Sequence, residues 1–195
     1  VDQARFTEQM ANLCAQIEKN CEAQTETVTY GSFNPEYVKE ETNKFDGVVI
    51  SGSEALYSRP EDRLKFSDTI EAIRTLKKPL LGICGGHQLI GMAYGERIAP
   101  IGRSIKGYRD IEILLDDPLF EGLLRTASVM QSHQEMVERT PHDFELLARS
   151  DDTPIEAFRN RHGIAYGVQF HPERNDNEHS AGASVLKNFG GIVRR

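Results

Sequence analysis

The chain has 195 residues, of which 38% are hydrophobic and 27% charged, enough for one globular domain with a sizeable core. A net charge of -7 at pH 7 speaks against a nucleic-acid binder, which usually shows a basic face. No apolar run approaches the roughly 18 residues that cross a membrane, so neither nucleic acid nor membrane is expected as a partner. Residues 6–20 read as an amphipathic helix with Phe6, Met10, Leu13, Cys14 and Ile17 on one side. Met10, Cys14, Ile17 and Cys21 share a face, which makes Cys14 and Cys21 structural. "ETVTY", 26–30, is rich in β-branched residues and reads as a strand. Residues 36–44 form a short helix, and "GVVIS", 47–51, is a short apolar run suited to a strand covered on both faces. Pro60 opens a helix to about Lys77, with Phe66, Ile70, Ile73 and Leu76 spaced for burial. "PLLGIC" is a second buried strand, and a helix follows from about Gly86 to Tyr94. Strands alternating with helices predict a three-layer α/β fold, an open, mostly parallel sheet with helices on both faces.

After Gly95 the texture changes. "RDIEILL", "ASVMQ", "FELLARS", "IEAFRN" and "IAYGVQF" read as successive strands broken by turns, an antiparallel extension of the parallel core. A helix from about Ala181 to Val193 closes the chain. No repeat, low-complexity tract or linker interrupts 1–195, which predicts a single domain. An open parallel sheet normally begins with a strand, yet only Val1 and Asp2 precede the first helix, so the first strand is expected to be truncated or missing. No signal peptide is visible, and three cysteines without framework spacing favour a reducing, cytoplasmic setting.

Two segments carry chemistry. Cys84 stands where strand turns into helix, at the carboxyl edge of the sheet, where open α/β sheets bind ligands. Glycines on either side let the chain bend sharply and put a nucleophile at an elbow. Helix amides and dipole beyond the sulfur suit an anion there, and the Gly85 N–H is free to face developing negative charge. A buried cysteine in a Gly-rich loop is the other reading of this segment. "AYGVQFHPER" then places His171 at a strand end, with Glu173 two residues on across Pro172. A cysteine nucleophile needs a base, and the base needs a third group to orient it. His171 and Glu173 are the candidates, although an HPE tripeptide alone is more often a surface turn.

The pair of segments resembles a known family. Gly82-Ile83-Cys84-Gly85-Gly86-His87-Gln88 fits G-x-C-x-G-x-Q, the nucleophile motif of class I (triad-type) glutamine amidotransferases, and YGVQFHPE, 166–173, matches that family's second signature. The resemblance runs from about residue 46 to the C-terminus and more loosely over the N-terminal helix. "MQSHQEMVERTPHDFELLARSDDTPIEAF" is similar to the corresponding part of the glutaminase subunit or domain of GMP synthases, where a Ser-His pair precedes an acidic residue and valine and a "PIEA" strand follows. The resemblance implies hydrolysis of L-glutamine to glutamate and ammonia through a Cys84-His171-Glu173 triad and a γ-glutamyl thioester. By position, Gly85 and Ser53 supply the oxyanion N–H groups, and Gly52 allows the turn that carries Ser53. Gln88, Ser132, Gln134 and Glu135 then border the glutamine. Many relatives carry Gly-Gly-Pro where this chain has Gly52-Ser53-Glu54, which leaves the orientation of the Ser53 donor open. Lys106 stands where related sequences often have an acidic residue.

No metal or organic cofactor is implied, since Cys84 and His87 are too few to ligate zinc. The chain has no G-x-x-x-x-G-K nucleotide loop and no room for a synthetase domain, so the resemblance implies a separate synthetase that takes up the ammonia. Three other readings share these residues: a γ-glutamyl hydrolase or peptidase, an amidotransferase for a specialised metabolite, and a non-catalytic regulatory subunit.

Overall fold

The computed structural model describes residues 3–195. Thirteen α-helices and β-strands follow in chain order: α1 Gln3–Cys21, α2 Pro35–Glu41, β1 Val48–Ile50, α3 Pro60–Leu64, α4 Ser67–Thr75, β2 Leu80–Ile83, α5 Gly85–Ala93, β3 Ile98–Ile113, β4 Thr126–Val137, β5 Phe144–Arg149, β6 Ala157–Asn160, β7 Ala165–Val168 and α6 Ala181–Val193. The strands form one sheet in the order β1-β2-β7-β6-β5-β3-β4. β1, β2 and β7 run parallel, whereas β6, β5, β3 and β4 continue the sheet by antiparallel pairing. β7 therefore closes the parallel core although it arrives last in the chain.

Alternation along β2 divides the core, because successive side chains point to opposite faces. Leu81 and Ile83 pack with Leu13 and Cys21 of α1 and Val185, Leu186 and Phe189 of α6. Leu80 packs on the other face with Val38, Ala72, Ile73, Leu89 and Ile90, from α2, α4 and α5. All four β2 residues are buried. The three layers and the open, mixed sheet agree with the sequence expectation, and α6 has the predicted bounds.

Three local expectations need correction. The "ETVTY" segment forms no strand; residues 26–29 are exposed, and β propensity without a neighbouring strand to pair with yields no ladder. The helix expected over 60–77 is two helices, α3 and α4, broken at Lys65–Phe66. The break lets the Phe66 ring lie between Tyr30 and Tyr57, a tertiary gain that helical periodicity cannot express. β3 and β4 are also longer than predicted, so "SHQE", 132–135, lies within a strand and not in a loop. On α1, Leu13 and Cys21 are buried while Cys14 is half-buried with its Sγ 3.6 Å from Thr27 Oγ1. The Phe6 side chain, and Val1 and Asp2 on which the expected first strand depends, lie outside the described residues.

Candidate active site

The Cys84 elbow is built by close backbone packing. α5 begins directly after β2, and its second residue, Gly86, presses on β1 so closely that a Cβ there would run into the Ile50 carbonyl. Glycine is required at that contact. The bend leaves Cys84 at φ 52°, ψ -101°, a left-handed conformation that L residues adopt at a cost of about 1–3 kcal/mol. Its N–H is held by the Val168 carbonyl of β7 at 2.8 Å, which ties the nucleophile to the strand that leads to His171.

Beyond β7 the chain is pinned twice. Gln169 N–H donates to the Glu156 carbonyl at 2.8 Å, and His171 N–H donates to the Met130 carbonyl of β4 at 2.8 Å. His171 Nδ1 then meets Glu173 Oε1 at 2.7 Å, both side chains being buried. Arg174 Nε lies 3.5 Å from the same carboxylate oxygen, and Asn12 of α1 donates to the Glu173 carbonyl at 3.2 Å. Burial opposes charge on the imidazole. The nearby Cys84 and the Glu173 carboxylate outweigh that burial and raise His171 to about 10. Burial likewise pushes Glu173 up, but its hydrogen bond and charge pairing with His171 prevail and its pKa is lowered. A sulfur, an imidazole and a carboxylate thus stand in series.

Gly52 and Ser53 complete the constellation. A Cβ on Gly52 would lie 3.1 Å from His171 Cε1 and 3.6 Å from Cys84 Cβ, so the turn after β1 lies against both nucleophile and base. Ser53 N lies only 2.8 Å from the point where a Gly85 Cβ would stand. Gly85 is the first residue of α5, and its N–H has no intrahelical acceptor. The two expected oxyanion donors therefore belong to backbone segments in contact.

The other expected site residues divide. The Ser132 carbonyl lies 3.9 Å from Cys84 Sγ, at the limit of a sulfur hydrogen bond. Gln88 is buried, and its Nε2 donates to the Glu135 carbonyl at 2.9 Å and to Gln169 Oε1 at 3.3 Å. Gln88 thus ties the elbow helix to β4, with its amide nitrogen already engaged by protein oxygens. Glu135 is buried, and its carboxylate accepts from the Ser58 N–H at 3.2 and 3.4 Å. Gln134 is exposed on the opposite face of β4, and Lys106 is exposed opposite Ser132 on β3. Sequence reasoning missed Tyr30, whose hydroxyl donates to the Ser51 carbonyl at 2.6 Å, and Tyr57, which is fully buried beside the turn. It also missed Glu156, whose carbonyl holds Gln169 and whose carboxylate accepts from Gln131 Nε2 at 2.9 Å. "PIEA" is visible as a subfamily mark, but nothing in it shows that the acid is buried. Among the described residues no group of three or more His, Cys, Asp or Glu is placed to hold a metal ion.

Comparison with known proteins adds an independent line. The profile of the family glutamine amidotransferase class-I matches residues 6–190. The glutamine-hydrolysing GMP synthase subunit of Pyrococcus furiosus is 38% identical over 146 residues, covering 75% of this chain and 74% of that protein. That of Thermococcus kodakarensis is 42% identical over 143 residues, covering 73% of each. Among solved structures, a putative GMP synthase subunit from Thermoplasma acidophilum superposes with a TM-score of 0.81 at 24% identity, covering 94% of this chain and 87% of that one. A glutamine amidotransferase from Thermotoga maritima gives 0.68 at 18% identity, over 87% and 96%.

Proposed function

This chain belongs to the glutamine amidotransferase class-I family, and from that premise we propose that it is a glutaminase subunit that hydrolyses L-glutamine and hands the ammonia to a separate synthetase, as the name glutamine-hydrolysing GMP synthase subunit implies for its relatives. The observation that carries this reading is the Cys84 elbow facing a His171–Glu173 pair joined at 2.7 Å. One glutaminase domain over 1–195, working in the cytoplasm, is part of the same reading.

The Cys84 thiolate attacks the side-chain amide carbon of glutamine. The carbonyl oxygen becomes an oxyanion that accepts from the N–H groups of Gly85 and Ser53. Protonated His171 gives its proton to the leaving nitrogen, the C–N bond breaks, and ammonia departs from a γ-glutamyl thioester. Neutral His171 next takes a proton from water, whose oxygen attacks the thioester. Collapse of the second oxyanion breaks the C–S bond and releases glutamate, returning the thiolate–imidazolium pair. Glu173 orients the imidazole throughout and stabilises its charged form.

Ammonia release from glutamine, measured with and without the cognate synthetase, tests the reading. The wild type is expected to release ammonia at least in the presence of the partner, and Cys84→Ala to abolish it. Wild-type ammonia release by Cys84→Ala defeats the assignment.

A further inference from the structure

The turn that carries Ser53 has little in its own sequence to fix it beyond the bond from Ala55 N–H to Ser53 Oγ at 3.0 Å. Gly52 has no Cβ, and neither Ser53 nor Glu54 is a proline that would lock a backbone angle. A donor aimed at an oxyanion must nevertheless be held before the charge appears, since preorganisation is what makes it effective. We propose that Tyr30 and Tyr57, packed on either side of Phe66, are positioning residues that hold the Gly52–Ser53 turn in its oxyanion-binding form. The inference rests on the glutaminase reading and concerns how this chain achieves it.

The brace is visible contact by contact. Tyr30 and Tyr57 meet Phe66 edge-on, with ring centroids 5.0 and 5.1 Å away and interplanar angles of 76° and 87°. Edge-to-face pairs of this kind contribute about 0.5–1.5 kcal/mol each beyond the area they bury. The backbone of Tyr30 is fixed by Thr69 of α4, whose hydroxyl donates to the Tyr30 carbonyl at 3.0 Å. From there the Tyr30 hydroxyl reaches the Ser51 carbonyl at 2.6 Å, the residue before Gly52. Burial pushes the phenol up to about 12, against the opposing hydrogen bond with Ser51, so it remains a donor across the physiological range. On the far side the Tyr57 hydroxyl interacts with the Ser53 side chain but makes no well-formed hydrogen bond. Its ring is fully buried against Phe66.

The rest of the loop is tied in step. Ser53 Oγ accepts from Ala55 N–H at 3.0 Å, Asp62 from Leu56 N–H at 3.2 Å, and Glu135 from Ser58 N–H. The break between α3 and α4 is then more than an interruption, because it delivers Phe66 to the centre of the brace.

The test separates oxyanion chemistry from general damage. Tyr30→Phe keeps the ring and removes the hydroxyl that holds Ser51; Tyr57→Leu removes the ring near Ser53 while keeping the position apolar. Three quantities are measured with the synthetase present: kcat, KM for glutamine, and the rate of Cys84 alkylation by iodoacetamide, a displacement at carbon that builds no oxyanion. Tyr30→Phe is expected to lower kcat by about 10- to 100-fold, short of the roughly 100- to 1000-fold loss of a whole donor. KM and the alkylation rate should stay within about twofold, as for a group that acts only in the transition state. Wild-type kcat in both variants overturns the brace while leaving the glutaminase reading intact. A parallel fall in kcat and alkylation also overturns it, because the tyrosines would then serve packing of the nucleophile. A wild type that alkylates yet releases no ammonia defeats the glutaminase reading, and this inference with it.

Discussion

Cys84 and His171 divide the work of keeping one reactive pair in register. The cysteine is held in a left-handed conformation by contacts of its neighbours, and the histidine is held by a carboxylate that burial alone would neutralise. The charge on His171 depends on both partners, so Glu173→Gln should alter the pH profile and not only the rate. In the wild type Cys84 and the Glu173 carboxylate hold the imidazole well above its ordinary pKa. Removing the carboxylate leaves burial less opposed, and the alkaline limb of kcat/KM should move to lower pH. kcat should fall by roughly 10³- to 10⁴-fold, as when an orienting carboxylate is removed from other triads, and by less than in Cys84→Ala. A pH–rate series on the two proteins checks this; an unmoved alkaline limb would separate Glu173 from the titration of His171. These three residues were legible in the sequence because local motifs mark them. Tyr30 and Tyr57 were not, because their role depends on where Phe66 goes, and no spacing rule places it.

At the scale of elements, the site is assembled by contacts between segments that hold almost no side chain. α5 can start at the elbow only because Gly86 lets its backbone touch β1. Gly86→Ala therefore sets a methyl against the Ile50 carbonyl, which cannot rotate away as a side chain would. Overpacking of this kind costs about 1–3 kcal/mol or more, and part of the relief would come from moving α5, which carries the Gly85 donor. A fall in urea midpoint together with reduced kcat is expected, and unchanged values for both would show the contact to be loose. β4 plays the complementary part. Its Met130 carbonyl fixes His171, its Ser132 carbonyl faces Cys84, and its Glu135 holds both Gln88 and Ser58. The polar stretch 132–135 carries no strand signal of its own because its alternation is polar on both sides; burial against α5 and the turn after β1 supplies what period-two hydrophobicity would normally signal. The parallel strands β1 and β2 and the helix α6 were readable for the opposite reason, since apolar runs and helical spacing carry their burial directly.

In the molecule as a whole, a buried acid outside the triad makes stability depend on pH. Glu156 is inaccessible to solvent, and burial raises it to about 7 although Ser150 and Gln131 hydrogen-bond its carboxylate. Its folded value lies above its ordinary value of 4.5, so the folded chain holds a proton that the unfolded chain has lost between about pH 4.5 and 7. The associated stability is fully present below that window and gone above it, a change of about 3 kcal/mol. Glu156→Gln removes the titration. Gln131 can turn its amide to face the new donor, because its Oε1 has no partner. The variant should therefore gain about 3 kcal/mol relative to wild type as pH rises from 4.5 to 7.5, read from urea midpoints at the two ends. A constant difference would show that Glu156 does not titrate in that window.

The sheet order has a consequence in time. Leu80 of β2 is paired with Ala165 of β7, and the Cys84 N–H is held by Val168. A ribosome makes roughly 5–20 residues each second, so the elbow leaves it several seconds before its strand neighbour exists. During that interval β2 has only β1 beside it, and the thiol has neither base nor a fixed bend. The Cys84 elbow is therefore completed only after β7 has been made and has slid between β2 and β6.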